Sequence, residues 1–157
     1  MHDQNFTTTF LVEQTPEEVF AAINDVRGWW SEEIEGSTRE LGDEFTFVYE
    51  DIHRSRQRIT ASIPGEKVTW HIVDACLSFT ENTGEWIGTD VSFEISKKSN
   101  ETEIRFTHVG LVPEFECFNA CSNGWNYYVN GSLRSLITSG KGQPNERVKD
   151  DVVKTSL

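Results

Sequence analysis

The chain has 157 residues, enough for one domain with a real hydrophobic core and too few for two domains of ordinary size. Its 14 Lys and Arg stand against 26 Asp and Glu, a formal net charge of −12 that repels phosphate backbones and anionic membranes, so nucleic acid is not an expected partner. No apolar run approaches the ~20 residues of a membrane span, and Met1-His2-Asp3-Gln4 begins no signal peptide, so a cytoplasmic protein is expected.

In chain order, residues 5–13 place Phe6, Thr8, Phe10 and Val12 on one face of a half-buried strand. Thr15-Pro16-Glu17-Glu18 is a capping box, with Thr15 as N-cap and Glu18 three residues inside the helix it starts. Val19, Phe20 and Ile23 give that helix an apolar face to about Val26, and Gly28 is expected to break it ahead of Trp29-Trp30. Phe45, Phe47 and Tyr49 then share a strand face, Asp51-Ile52-His53-Arg54 reads as a turn, and Ile59, Ala61 and Ile63 mark the return strand. Pro64-Gly65 turns the chain into a strand carrying Val68, Trp70 and Ile72. A polar loop over residues 80–85 leads to Thr89, Val91, Phe93 and Ile95. After the turn Lys97-Lys98-Ser99-Asn100 comes a last strand with Ile104, Phe106 and His108. At least six antiparallel strands are predicted.

That strand hands into one long helix predicted over residues 114–140. Pro113 stands at its start, and Glu114 and Glu116 lie near the positive end of its dipole. Steps of 100° put Phe118, Ser122, Trp125, Val129, Leu133 and Leu136 on one stripe, with Asn123, Tyr127, Asn130 and Arg134 facing away. Gly124 and Gly131 each weaken such a helix by about 1 kcal/mol relative to Ala, which calls for a packing or functional reason. Residues 1–142 read as a single domain and residues 143–157 as a polar tail, lightly docked. Helices segregated beside an antiparallel sheet make the fold class α+β.

These elements, in this order, resemble the START-like, helix-grip superfamily (SRPBCC, Bet v-type). Within it they are most similar to bacterial homologues of the activator of the heat-shock protein 90 ATPase. The resemblance covers residues 6–142. Its carriers are Thr15-Pro16-Glu17-Glu18-Val19-Phe20 with Trp29-Trp30, then Glu85-Trp86-Ile87-Gly88-Thr89 and Thr107-His108-Val109-Gly110-Leu111. Gly124-Trp125-Asn126-Tyr127-Tyr128 and Ser139-Gly140 complete the set. The resemblance implies a curved antiparallel sheet gripping one long C-terminal helix. It lies in the grip domain and does not extend to the additional N-terminal domain through which such activators contact the chaperone. The stretch from Asn24 to Gly28 is short for the family, so the entrance beside the tryptophans is expected to be reshaped.

If sheet and helix enclose a cavity, strand alternation lines it with Phe10, Phe45, Phe47, Trp70, Phe93, Phe106 and His108, and the helix adds Phe118, Ser122, Trp125 and Val129. Such walls suit a small hydrophobic ligand, lipid-like or aromatic, and a non-enzymatic binding domain is the first expectation. The same aromatics also suffice to fill the interior outright. The alternatives are a protein-interaction module related to the co-chaperone activators and an enzyme of the polyketide cyclase type. His108 is the residue best placed to orient a ligand, although a histidine on an apolar face is more often satisfied by its surroundings. His71 and Asp90 point to the opposite face, and Gln57 faces inward. Cys76, Cys117 and Cys121 read as free thiols of a reducing compartment. Cys117 and Cys121, four apart on one helix, would bind metal only if other ligands converged on them. With no nucleophile elbow, phosphate loop, zinc-helix spacing or paired carboxylates, no cofactor, metal or catalytic residue is assigned. The acidic run Ser31-Glu32-Glu33-Ile34-Glu35 reads as a solvated face.

Overall fold

The computed structural model describes residues 5–50 and 52–145; Asp51 of the predicted turn and residues 146–157 of the tail lie outside them. Strand β1 (Phe6–Val12) is followed by helices α1 (Pro16–Asn24) and α2 (Val26–Trp29). Six further strands follow: β2 (Glu35–Gly36), β3 (Glu44–Tyr49), β4 (His53–Ile63), β5 (Lys67–Leu77), β6 (Asp90–Lys98) and β7 (Glu101–Val109). A continuous C-terminal helix closes the domain as α3 (Phe118–Trp125), a π-helical segment (Asn126–Leu133) and α4 (Arg134–Ser139).

The seven strands form one antiparallel sheet in the order β1-β7-β6-β5-β4-β3-β2. The paired strands β4 and β5 carry register shifts at Arg56/Gln57 and Ile59/Ala61, irregularities that bend a sheet. The sheet's inner face and the C-terminal helix enclose the core, giving the helix-grip α+β architecture.

Local chemistry explains most boundaries. Both halves of the capping box form: Thr15 Oγ1 accepts from Glu18 N at 3.1 Å and Glu18 Oε1 accepts from Thr15 N at 2.9 Å. Gly28 does not break the chain but sits inside α2. A side-chain carbon at Gly28 would collide with the Asp25 carboxylate, and one at Gly142, whose backbone lies against Gly28, would collide with the Gly28 carbonyl. Residues 143–145 are drawn in as well: Gln143 N donates to Ser132 Oγ at 2.6 Å, and Asn145 N donates to the Trp30 carbonyl at 3.0 Å.

The C-terminal helix differs from its prediction at both ends. It starts at Phe118, because Pro113 disfavours helical geometry at Val112 and the chain runs through tight turns first, with Phe115 N bonded to Val112 O and Phe118 N to Phe115 O. Glu114 and Glu116 therefore precede the helix. The acid that serves its N-terminus comes from another part of the chain: Glu85 accepts from Glu116 N at 2.8 Å and from Cys117 N at 3.2 Å. Farther along, the wider π turns advance the helix less per residue than the 100° wheel assumes, so core-facing positions arrive later in sequence. Ile137 is buried where Leu136 was expected, and Ser132 joins Val129 and Leu133 inside. Asn130 and Arg134 turn toward β1, Asn130 Nδ2 donating to Thr8 Oγ1 at 3.1 Å and the Arg134 guanidinium lying 5.9 Å from the Phe10 ring centre.

Candidate functional site

All five tryptophans of the chain belong to one aromatic cluster. Trp29 and Trp30, supplied by α2 and the residue after it, stack with Trp70 of β5 at 6.2 and 5.6 Å between ring centres, nearly parallel. Phe93 meets Trp29, Trp70 and Phe106 edge-on, and Phe106 meets Trp125 at 4.7 Å. Each such pair contributes about 0.5–1.5 kcal/mol beyond the burial of its area. The space between Trp125 and the middle of the sheet is therefore filled by rings.

His108 belongs to this filled region. Its Nδ1 accepts from Trp125 Nε1 at 3.0 Å, its Nε2 lies 2.8 Å from Thr89 Oγ1, and Thr89 Oγ1 lies 2.7 Å from the Trp86 carbonyl. An indole N–H can only donate and the threonine proton goes to the carbonyl, so the ring is neutral with its proton on Nε2, donated to Thr89. Burial, reinforced by nearby His53, pushes its pKa down to about 3. Both nitrogens are committed, and the residue orients Trp125.

The open space lies beside Trp125, toward the β3–β4 end of the sheet. It is a cleft of about 240 Å³ lined by Trp30, Phe47, Tyr49, Ile52, His53, Phe79, Trp86, Ala120, Cys121, Gly124, Trp125 and Tyr128. Trp30 lies flat on Phe47 at 4.1 Å and forms the floor, while Trp86, from the β5–β6 loop, stacks on Trp125 at 5.7 Å and forms a wall. Tyr49, Ile52 and Phe79 are exposed at the rim. Gly124 opens the helix side of the cleft, which gives the glycine predicted to need an excuse a place in the wall. Tyr128 Oη accepts from Asn145 Nδ2 at 2.7 Å, and burial raises its pKa.

Among the described residues no Asp, Glu, Lys or Arg lines the cleft. Its one imidazole, His53, stands edge-on to Trp86 at 4.4 Å and to Phe47 at 5.0 Å. Its Nε2 is buried and has no hydrogen-bond partner, and burial lowers its pKa to about 4. The thiols of Cys117 and Cys121 lie near Trp86, whose buried Nε1 has no hydrogen-bond partner. The interaction with Cys121, reinforced by burial, pushes the Cys117 thiol up, and the same interaction pulls the Cys121 thiol down against the effect of burial. Among the described residues no group of three or more His, Cys, Asp or Glu is placed to hold a metal ion.

Of the residues expected to line a cavity, Phe47 and Trp125 do line the cleft. Phe45, Trp70, Phe93, Phe106, His108 and Val129 are closed into the packed interior instead. Phe10 is buried near the β1 edge beneath Arg134, Phe118 is partly buried at the helix start, and Ser122 is buried with an unpartnered hydroxyl. Strand alternation identifies the inner face correctly, but cannot say which part of that face another ring covers. The missed residues came with signals of their own. Trp30, Trp86, Gly124 and Tyr128 all sit in segments that carried the family resemblance, and Trp86 is a lone tryptophan in a polar loop. His53 was read as a turn residue, yet it begins β4 and pairs with Tyr49. His71 and Asp90 do face outward and meet at 2.7 Å.

No protein-family model matches the chain, and no curated protein matches it. Solved structures do. The Aha1 dimer from Colwellia psychrerythraea superposes with a TM-score of 0.71 at 24% identity, covering 88% of this chain and 98% of that one. DynU16, from the dynemicin biosynthetic locus, gives 0.65 at 15% identity; the match covers 93% of this chain but 52% of that longer one. CalU16 from Micromonospora echinospora gives 0.60 at 15% identity, covering 86% of this chain and 76% of that one. These likenesses show that the chain has the helix-grip α+β fold of those structures. Among the described residues no helix is long and apolar enough to cross a membrane.

Proposed function

We propose that this domain is a non-enzymatic binding module that takes a small hydrophobic molecule into the cleft between β3, β4 and the C-terminal helix. One observation carries the reading: a cleft of about 240 Å³ walled mainly by aromatic and aliphatic side chains, with no charged residue among the described ones that line it. Exposed apolar walls of this kind favour an occupant that replaces water. The volume is slightly below the common range of ~300–1,000 Å³, which suits one- or two-ring compounds better than long acyl chains.

The test is a thermal-shift series with small aromatic hydrocarbons on the wild-type chain and on Ala120→Trp, which fills the cleft from the exposed side of α3. A ligand at a hundred times its Kd adds about 2.7 kcal/mol to stability. The reading requires that the Tm rise with ligand concentration and that Ala120→Trp remove the rise. No shift with any compound would sink it.

A protein-interaction module of the co-chaperone type is the second reading, supported by the apolar rim of Tyr49, Ile52 and Phe79 and by the likeness to the Aha1 dimer. Stimulation of heat-shock protein 90 ATPase that is lost in Ile52→Glu, with no ligand response, would favour it.

A further inference from the structure

We infer that the ligand of this cleft is an uncharged aromatic bearing a hydroxyl group, and that His53 is the residue that selects it. The inference rests on the ligand-binding reading and adds the chemistry of the ligand.

Three observations support it. First, His53 Nε2 is a buried nitrogen of a wall residue with no hydrogen-bond partner; Trp86 Nε1 is another, but an indole N–H can only donate, whereas a neutral imidazole can donate or accept. A buried polar atom left unpaired is costly, and an occupant that pairs it recovers that cost. Second, nothing ties Nε2 to the protein. The flanking rings of Trp86 and Phe47 stand nearly perpendicular to it and give Nε2 no hydrogen bond, so a turn about the broad, two-fold χ2 torsion toward the cleft breaks none. Third, among the described residues no cationic side chain lines the wall to receive a carboxylate and no acid lines it to receive an amine, so an ionised ligand would surrender its hydration without a counter-charge from them. A hydroxyl suits either neutral tautomer, because it both donates and accepts.

His53 is also the first of an alternating polar row on the inner face of β4. Ser55 and Gln57 continue it, each fully buried with an unpaired oxygen, opposite Phe47 and Phe45. Neither reaches the cleft wall. They provide an internal control, each with an unpaired buried polar atom as in His53 but out of a ligand's reach.

The experiment is calorimetric titration at neutral pH with naphthalene, 2-naphthol and 2-naphthoate, on the wild type and on His53→Phe, His53→Gln and Ser55→Ala. In the wild type 2-naphthol is expected to bind about tenfold tighter than naphthalene, and 2-naphthoate more weakly than either. His53→Phe should abolish the advantage of 2-naphthol while leaving naphthalene affinity within about twofold. His53→Gln restores a hydrogen-bonding group and should keep most of the preference, as should Ser55→Ala. Equal affinities of naphthalene and 2-naphthol in the wild type would overturn the inference and leave ligand binding intact. So would a preference that survives in His53→Phe, or one that disappears only in Ser55→Ala. Binding of none of the three would overturn both readings.

Discussion

Two histidines in neighbouring regions, His108 fully buried and His53 half-buried, differ in their hydrogen bonding. His108, in the filled region under Trp125, has a partner on each ring nitrogen; His53, in the wall of the cleft, has a buried nitrogen with none. Both are held neutral by burial, so charge does not distinguish them. Hydrogen bonding does. A satisfied imidazole fixes its neighbours and is unavailable, whereas an unsatisfied one beside open space is a recognition group awaiting a partner. The surrounding rings follow the same division: Trp29, Trp70 and Phe93 pack on all sides, while Trp30, Trp86 and Trp125 pack on one side and face the cleft on another.

The largest test of this contrast removes a ring from each region. Trp70→Ala is expected to cost about 3–5 kcal/mol in urea unfolding, because it opens a void in a closed stack. Phe79→Ala, at the 44% exposed rim, should change stability by about 0.5 kcal/mol or less. Equal losses would mean that rim and core are not distinct.

A finer test exchanges the histidines themselves. His108→Leu strands the Trp125 N–H inside the core and should cost about 1–3 kcal/mol. His53→Leu removes an unsatisfied nitrogen and should leave stability unchanged or raise it by up to about 1 kcal/mol. A larger loss from His53→Leu than from His108→Leu would reverse the assignment of roles.

The smallest effect concerns pH. Folded-state values of about 4 for His53 and about 3 for His108 lie below the ordinary 6.5. Below pH 6.5 the unfolded chain takes up protons that the folded chain refuses. Each histidine therefore contributes its stability in full above 6.5, and that contribution declines as pH falls toward the folded value, by about 1.4 kcal/mol per unit. Stability curves from about pH 7 to 4.5 should be shallower in His53→Leu than in the wild type by about one histidine's slope. Identical slopes would show that His53 is charged in the folded protein and would remove the reason for an uncharged ligand.

Much of the scaffold was legible beforehand. The alternation through Phe45-Phe47, Val68-Trp70-Ile72, Val91-Phe93-Ile95 and Ile104-Phe106-His108 announced strands and their inner faces, and the capping box at Thr15 announced α1. The helix was legible as an element but not in its details. No 100° wheel anticipates π turns, and the capping carboxylate, Glu85, lies 31 residues ahead of the first backbone N–H it satisfies.

Sequence by itself determined the α+β order, the inward face of each strand and the apolar stripe of the helix, since these follow from periods of two and of about 3.6 residues that any short window displays. It also offered a histidine on an apolar strand as the polar group to watch. Only the tertiary structure decided that this histidine is spoken for and that another, taken for part of a turn, stands at the open site. That choice rests on which rings stack over which residues, and on whether a buried nitrogen meets an indole and a hydroxyl or no polar partner. Contacts between segments as distant as Trp30, His53, Trp86 and Trp125 exist only once the sheet has curved around its helix.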